Sequence, residues 1–146
     1  NQYHEQLDLF KEIAAGPTDP EQDPNYYKKL SAQEKFRRAV LNVMANHRLD
    51  AILFPDVQVL PPKKKDLYAG KWTVLTFPTN TLIASQTGLP AISMPAGFTD
   101  DGVPVGVEII GKLYDEATLL KLAYSYEYFT RPRKAPEIVP PLENES

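Results

Sequence analysis

Cysteine is absent from the 146 residues of this chain, which excludes disulfides, thiolate nucleophiles and cysteine-held metals. Histidine is nearly as scarce, since His4 and His47 are the whole supply. They are too far apart for a His-Glu-x-x-His zinc spacing, and neither lies near a Gly-x-Ser-x-Gly turn. No metal or other cofactor is expected. No apolar run approaches the ~20 residues of a membrane helix, and the first residues lack a signal-peptide pattern. No large charge of one sign is present either: the formal net charge is −3, the charges are dispersed, and neither nucleic acid nor a membrane surface is an expected partner. The cytoplasm is the default compartment. Beginning at Asn1 rather than Met, the sequence is expected to start inside a longer reading frame.

What is present reads as alternating helix and strand. Tyr3, Leu7, Phe10 and Ala14 recur at helical spacing and are stopped by Gly16-Pro17, giving a first helix with one apolar stripe. Residues 17–30, broken by Pro17, Pro20 and Pro24, read as a loop. Ser31 with Glu34 three positions on forms a capping box, and Phe36, Val40, Val43, Met44 and His47 then share one helical face. A helix over 32–48 follows, with His47 a partner for its negative end. Residues 50–55 are short and apolar, which predicts a central strand covered on both faces.

Pro61-Pro62-Lys63-Lys64-Lys65 reads as a solvated loop, and 72–77 fits either strand or irregular structure. Thr79 or Asn80 caps a helix that Gly88 closes. Residues 91–95 form a second strand, 97–102 a turn around Asp100-Asp101-Gly102, and 105–110 a third. The connection between the last two is too short for a parallel crossover, so they pair antiparallel. The glycines from Gly102 to Gly111 surround a strand and do not form a phosphate cradle. Asp115 caps a last helix with the stripe Leu119, Leu122, Ala123 and Tyr126, and a Pro-rich extended tail occupies 131–146. Arg131, Arg133 and Lys134 sit against that helix end or pair with Glu137. Three apolar strands with few helices leave a sheet face that calls for a partner.

No nucleophile can be assigned. Ser31 caps a helix, Ser125 lies on an amphipathic one, and Ser93 lies within a strand, where a hydroxyl is ordinarily a satisfied structural group.

Three runs of residues resemble the amidase signature family at its C-terminal portion. They are Gly88-Leu89-Pro90-Ala91-Ile92-Ser93-Met94-Pro95-Ala96-Gly97, then Gly102-Val103-Pro104-Val105-Gly106-Val107-Glu108-Ile109-Ile110-Gly111, then Asp115-Glu116-Ala117-Thr118-Leu119-Leu120. The resemblance covers about residues 31–141. It implies an α/β fold, the C-terminal part of an α/β/α layered mixed sheet. Residues 1–30 are then a lead-in of helix and loop, and 131–146 a tail.

The family's catalytic Ser-Ser-Lys group lies in a Gly/Ser-rich segment that this chain lacks, so no catalytic residue is expected here and the chain alone is expected to be inactive. By the same resemblance, Phe77, Asn80, Thr81 and Ala84 line the substrate pocket. From the residues alone, core packing for Phe77 and Ala84 and capping for Asn80 are the favoured readings. A small-molecule amide is the implied substrate, with the N-terminal half of the same protein, or self-association, covering the sheet. Members that hydrolyse glutamine carry an acidic residue before this helix, and Thr76-Phe77-Pro78-Thr79 offers none. A general or arylamide-type amidase is therefore favoured over a glutamine amidotransferase of the A type. A noncatalytic binding module built from the family's C-terminal half is the alternative from another class.

Overall fold

The computed structural model describes residues 8–73 and 76–136. Its elements run α1 (Asp8–Ala15), a 3-10 turn (Pro20–Gln22), α2 (Tyr26–Asn46), β1 (Ala51–Pro55), α3 (Lys64–Tyr68), α4 (Leu82–Thr87), β2 (Ala91–Phe98), β3 (Pro104–Gly111) and α5 (Glu116–Thr130). This is the expected α/β alternation. The strands form one sheet in the order β1-β3-β2, and β3 is antiparallel to both neighbours. The parallel pairs of a mixed sheet are not among these three strands.

Register follows from the hairpin. Ser93 faces Glu108 and Ile92 faces Ile109, with one bulge between Pro95 and Gly97. Gly97, at φ 127°, supplies backbone that a side-chain-bearing residue rarely adopts. On the far side Phe54 faces Glu108 and Leu53 faces Ile109. Alternation then sorts the sheet into two faces. One face carries Ile92, Met94, Val107 and Ile109 and meets Leu119, Ala123 and Tyr126 of α5. The other carries Phe54, Ser93, Glu108 and Ile110.

Several expectations are corrected. Among the described residues the strand at 50–55 is an edge strand, because the returning β3 occupies the centre, and Leu53 is 56% exposed. An all-apolar sequence distinguishes buried from exposed chains, and it does not say which neighbour fills which side. The capping box at Ser31 does not exist, since α2 starts at Tyr26 with Asn25 as its N-cap. Glu34 instead bonds Arg37 and, at 2.9 Å, Arg38, a pairing along one helix face. On that helix Met44 is buried, yet Phe36 and Val43 are exposed, so the expected stripe is only partly covered.

Lys64 and Lys65 belong to the short helix α3 rather than to a loop. Leu122 is exposed, while its stripe partners Leu119 and Ala123 are buried. Asp115 begins α5 as expected, but its carboxylate accepts from the Thr118 hydroxyl at 2.6 Å rather than from the backbone. Thr73 and Phe77 are joined by a backbone bond, the Phe77 N–H donating to the Thr73 carbonyl at 3.0 Å. Tyr3, Leu7 and Glu137 lie outside the described residues.

Candidate functional site

β1 and β2 both run antiparallel to β3, so their C-terminal ends emerge on the same side of the sheet. The chain leaves β1 at Asp56, and Asp56 is where the site is assembled. Its N–H donates to the Gly106 carbonyl at 3.1 Å, and its carbonyl accepts from Asn80 N–H at 2.9 Å. The Asn80 side chain adds a second tie, donating from Nδ2 to the Pro55 carbonyl at 2.8 Å and accepting from Gln58 Nε2 at 3.0 Å. Thr79 forms an antiparallel bridge with Val57, and its hydroxyl meets that of Thr81 at 2.8 Å. Segment 77–81 is thereby latched across the end of β1 by a short ladder of bonds.

The four residues expected at a substrate pocket lie together on this latch and its helix. Asn80 is the latch itself rather than a helix cap, because α4 opens at Leu82 behind Thr81 with no side-chain cap bond. Thr81 is half-buried beside Thr79, and Ala84 is half-buried on α4. Phe77 stands edge-on to Trp72, ring centroids 5.9 Å apart. Gly88 closes α4 in the left-handed region at φ 66°, a conformation in which a Cβ is strained. It turns the chain directly into β2.

Beside the latch, a cavity of about 400 Å³ is lined by Asp56, Ser93, Pro95, Phe98, Gly106 and Lys134 among others. A second, of about 270 Å³, lies between α2 and α4, with Gln33, Arg37 and Gln86 in its wall. Phe77, Asn80, Thr81 and Ala84 line neither of these two.

The first cavity has Asp56 in its wall together with Arg133 and Lys134, and outside its lining the sheet buries a carboxylate that sequence reasoning passed over. Ser93 Oγ donates to Asp56 Oδ1 at 3.3 Å, so Ser93 is engaged as a structural hydroxyl. Across the sheet from it, Glu108 is only 6% exposed, and its Oε1 is buried without a hydrogen-bond partner among the described residues. Burial pushes the Glu108 carboxyl above its ordinary range, and the nearby Asp56 carboxylate pushes it further the same way. The signal was a glutamate inside the apolar run Val105-Gly106-Val107-Glu108-Ile109-Ile110, because carboxylates are rarely fully buried unless paired. No group of three or more His, Asp or Glu able to hold a metal occurs among the described residues.

A group whose native pKa is raised binds its proton more tightly folded than unfolded. Its contribution to stability is complete below the unfolded value of about 4.5 and is lost as pH rises through the native value. Glu108→Gln in this chain is therefore expected to raise the urea midpoint at pH 7 and leave it unchanged near pH 4. A Gln variant that is weaker at pH 7 contradicts the assignment.

Gly106 makes room for this arrangement. A Cβ there would lie 2.2 Å from Asp56 Oδ2. Because the clash meets the end of a side chain, Gly106→Ala is expected to cost at the lower end of the ~1–3 kcal/mol of overpacking, with loss of the Ser93–Asp56 bond. Chemical denaturation of the two proteins checks the first expectation, and the Ala variant's structure the second.

The Amidase family model matches residues 3–120. The chain belongs to the Amidase family. The A subunit of glutamyl-tRNA(Gln) amidotransferase from Oceanobacillus iheyensis is 43% identical over 111 residues, covering 75% of this chain and 22% of that protein. The protein of the same name from Methanococcoides burtonii is 32% identical over 114 residues, covering 78% and 23%. Among solved structures, the native peptide amidase of Stenotrophomonas maltophilia superposes with a TM-score of 0.64 at 29% identity, covering 89% of this chain and 25% of that one. PAM12A gives a TM-score of 0.68 at 28% identity, covering 91% and 26%. The chain thus spans about a quarter of the length of each of these four proteins. No helix among its described residues is long and apolar enough to cross a membrane.

Proposed function

We propose that this chain is the C-terminal part of an amidase that hydrolyses linear carboxylic amides to a carboxylate and ammonia or an amine. In this reading residues 1–146 supply scaffold and one wall of the substrate pocket. The nucleophilic Ser, the bridging Ser and the Lys base come from the rest of the polypeptide, with backbone amides stabilising the oxyanion. The observation that carries it is the latch at 77–81, fastened to the end of β1 by Asn80 through both backbone and side chain. A segment so fixed holds a substrate in one geometry, which is what rate acceleration by positioning demands. Phe77, Thr81 and Ala84 present the apolar and hydroxyl surface of that wall, and Asn80 keeps it in place.

The open edge of the sheet agrees with a longer enzyme. β1 is apolar and yet an edge strand, with Leu53 uncovered, as expected of a strand whose neighbour lies elsewhere. That neighbour is the N-terminal half of the same protein or, when it is missing, a second copy. The separate 146-residue chain is accordingly expected to self-associate at micromolar concentration in light scattering, since soluble monomers seldom leave large apolar patches bare. A monomer that binds no hydrophobic dye would instead favour a self-standing noncatalytic module.

Release of ammonia from simple amides by the whole polypeptide carrying this chain tests the function itself. Steady turnover is expected, and its absence with every amide offered contradicts the reading. The amidotransferase relatives favour one further arm: glutamine-dependent amidation of a tRNA-bound glutamate would place the protein among glutamine amidotransferases of the A type.

A further inference from the structure

α5 has a second face. Leu119 and Ala123 turn into the sheet, whereas Leu120, Tyr124 and Tyr128, about one turn apart along the other side, are 61%, 71% and 56% exposed. Tyr124 and Tyr128 stack with ring centroids 6.1 Å apart. Phe129 stands edge-on to Tyr128 at 5.3 Å, and the Arg131 guanidinium lies 5.9 Å from the Tyr128 ring. Lone exposed apolar residues are ordinary, but rings in contact along one helix face form a patch. They do not serve the helix itself, because tyrosine is a poorer helix former than the glutamate or lysine that suits a solvated position. Their mutual packing fixes them in advance, so a partner loses little side-chain entropy in ordering them. Tyrosine and arginine are also the residues that most often anchor interfaces.

The charges beside this stripe have the pattern of a self-complementary surface. Glu116 begins α5 and Arg131 caps its end, and neither they nor Lys121 and Glu127 enter an ion pair among the described residues. At 3.6 residues per turn, Glu116 and Arg131 fall on one flank of the stripe and Lys121 on the other. Consider a second α5 laid antiparallel about a two-fold axis at Tyr124. Tyr124 then meets its own copy, and Leu120 enters between the rings of the facing helix. Glu116 lies opposite Arg131 of the second copy, Lys121 lies over the second copy's Tyr128 ring, and no two like charges stand directly opposed. Every contact occurs twice, as a closed two-fold interface requires.

We propose that the outer face of α5 is a homodimer interface of the whole protein, an antiparallel pair of α5 helices centred on Tyr124. The interface goes beyond the reaction proposed above and does not depend on it. It is also distinct from the association expected of the separate chain through its open sheet edge, which ends once the rest of the polypeptide fills that edge.

Sedimentation velocity of the full polypeptide that carries this chain, at micromolar concentration, is the test. A dimer is expected. Tyr124→Arg is expected to raise its dissociation constant on the order of 30-fold or more, as for an interface anchor, without lowering the melting temperature, since Tyr124 is 71% exposed within the chain. Glu116→Arg and Arg131→Glu are each expected to weaken the dimer, and the two together to restore it. A merely local effect on α5 would behave otherwise, because both reversals oppose the helix dipole and their costs would add. A full polypeptide that is monomeric overturns the proposal, whether the remaining chain or another protein covers α5. A dimer that Tyr124→Arg leaves unchanged, or charge reversals that do not compensate, overturn it equally. Amide turnover of the same samples is scored separately, so failure of the interface and failure of the amidase reading are told apart.

Discussion

The 146-residue chain by itself is expected to release no ammonia or amine from any linear amide. Acyl transfer of this kind needs a nucleophile held against a base, and the loss of that unit removes nearly the whole rate, on the order of 10⁶-fold in hydrolases that work by covalent catalysis. Among the described residues no serine hydroxyl is hydrogen-bonded to a lysine. Ser93 donates to Asp56, Ser85 donates to the Thr81 carbonyl at 3.4 Å, and Ser31 and Ser125 lie on α2 and α5. Turnover by the pure chain that disappears in Ser93→Ala would contradict this. Equal background in both proteins is the expected result.

The largest effect on stability is expected at Ile109. It sits on the central strand, 4% exposed, in the cluster with Met94, Leu119 and Ala123 that joins the sheet to α5. Ile109→Ala leaves a cavity between strand and helix, and losses of this kind run at about 2–5 kcal/mol. Leu53 is directly across from Ile109 and provides the comparison. In the separate chain, with Leu53 56% exposed, Leu53→Ala is expected to change stability by no more than about 0.5 kcal/mol. Under the proposed cover in the whole polypeptide it is expected to join the core, and the same substitution to cost about 2 kcal/mol or more. Equilibrium urea unfolding of both variants in both lengths reads the difference. A Leu53→Ala cost that is the same in each would mean that nothing covers that edge.

The strands and the hairpin were legible because their cues are local. Residues 91–95 and 105–110 each fall inside an observed strand, and the short turn at Gly102 forces the antiparallel pairing seen between Ser93 and Glu108. Gly88, in the left-handed region, marked the end of α4 for the same reason. Position within the sheet was not legible. β1 reads as central because it is apolar throughout, and only the path of β3 shows that it is an edge.

Ser31 misled because a capping-box spacing also occurs within a helix, where Glu34 pairs with Arg37 and Arg38 instead. At the site, Asn80 was singled out, but its real work depends on Pro55 and Asp56, distant in sequence and adjacent only after folding. Asp56 follows an apolar strand and reads only as its end. Glu108 carried a signal in plain view, a carboxylate in an apolar run, and its meaning emerged only when the register set it between Phe54 and Ser93.

The central claim is that segment 77–81 and α4 form a wall of the amidase pocket. Substrate selection by the whole polypeptide measures it most directly. With Ala84→Leu, the ratio of kcat/KM for a small amide to kcat/KM for a bulky one is independent of how much enzyme is folded. That ratio is expected to rise on the order of tenfold, about 1.4 kcal/mol, as the enlarged side chain excludes the bulky substrate. A ratio unchanged by the substitution would place Ala84 away from the substrate and contradict the account.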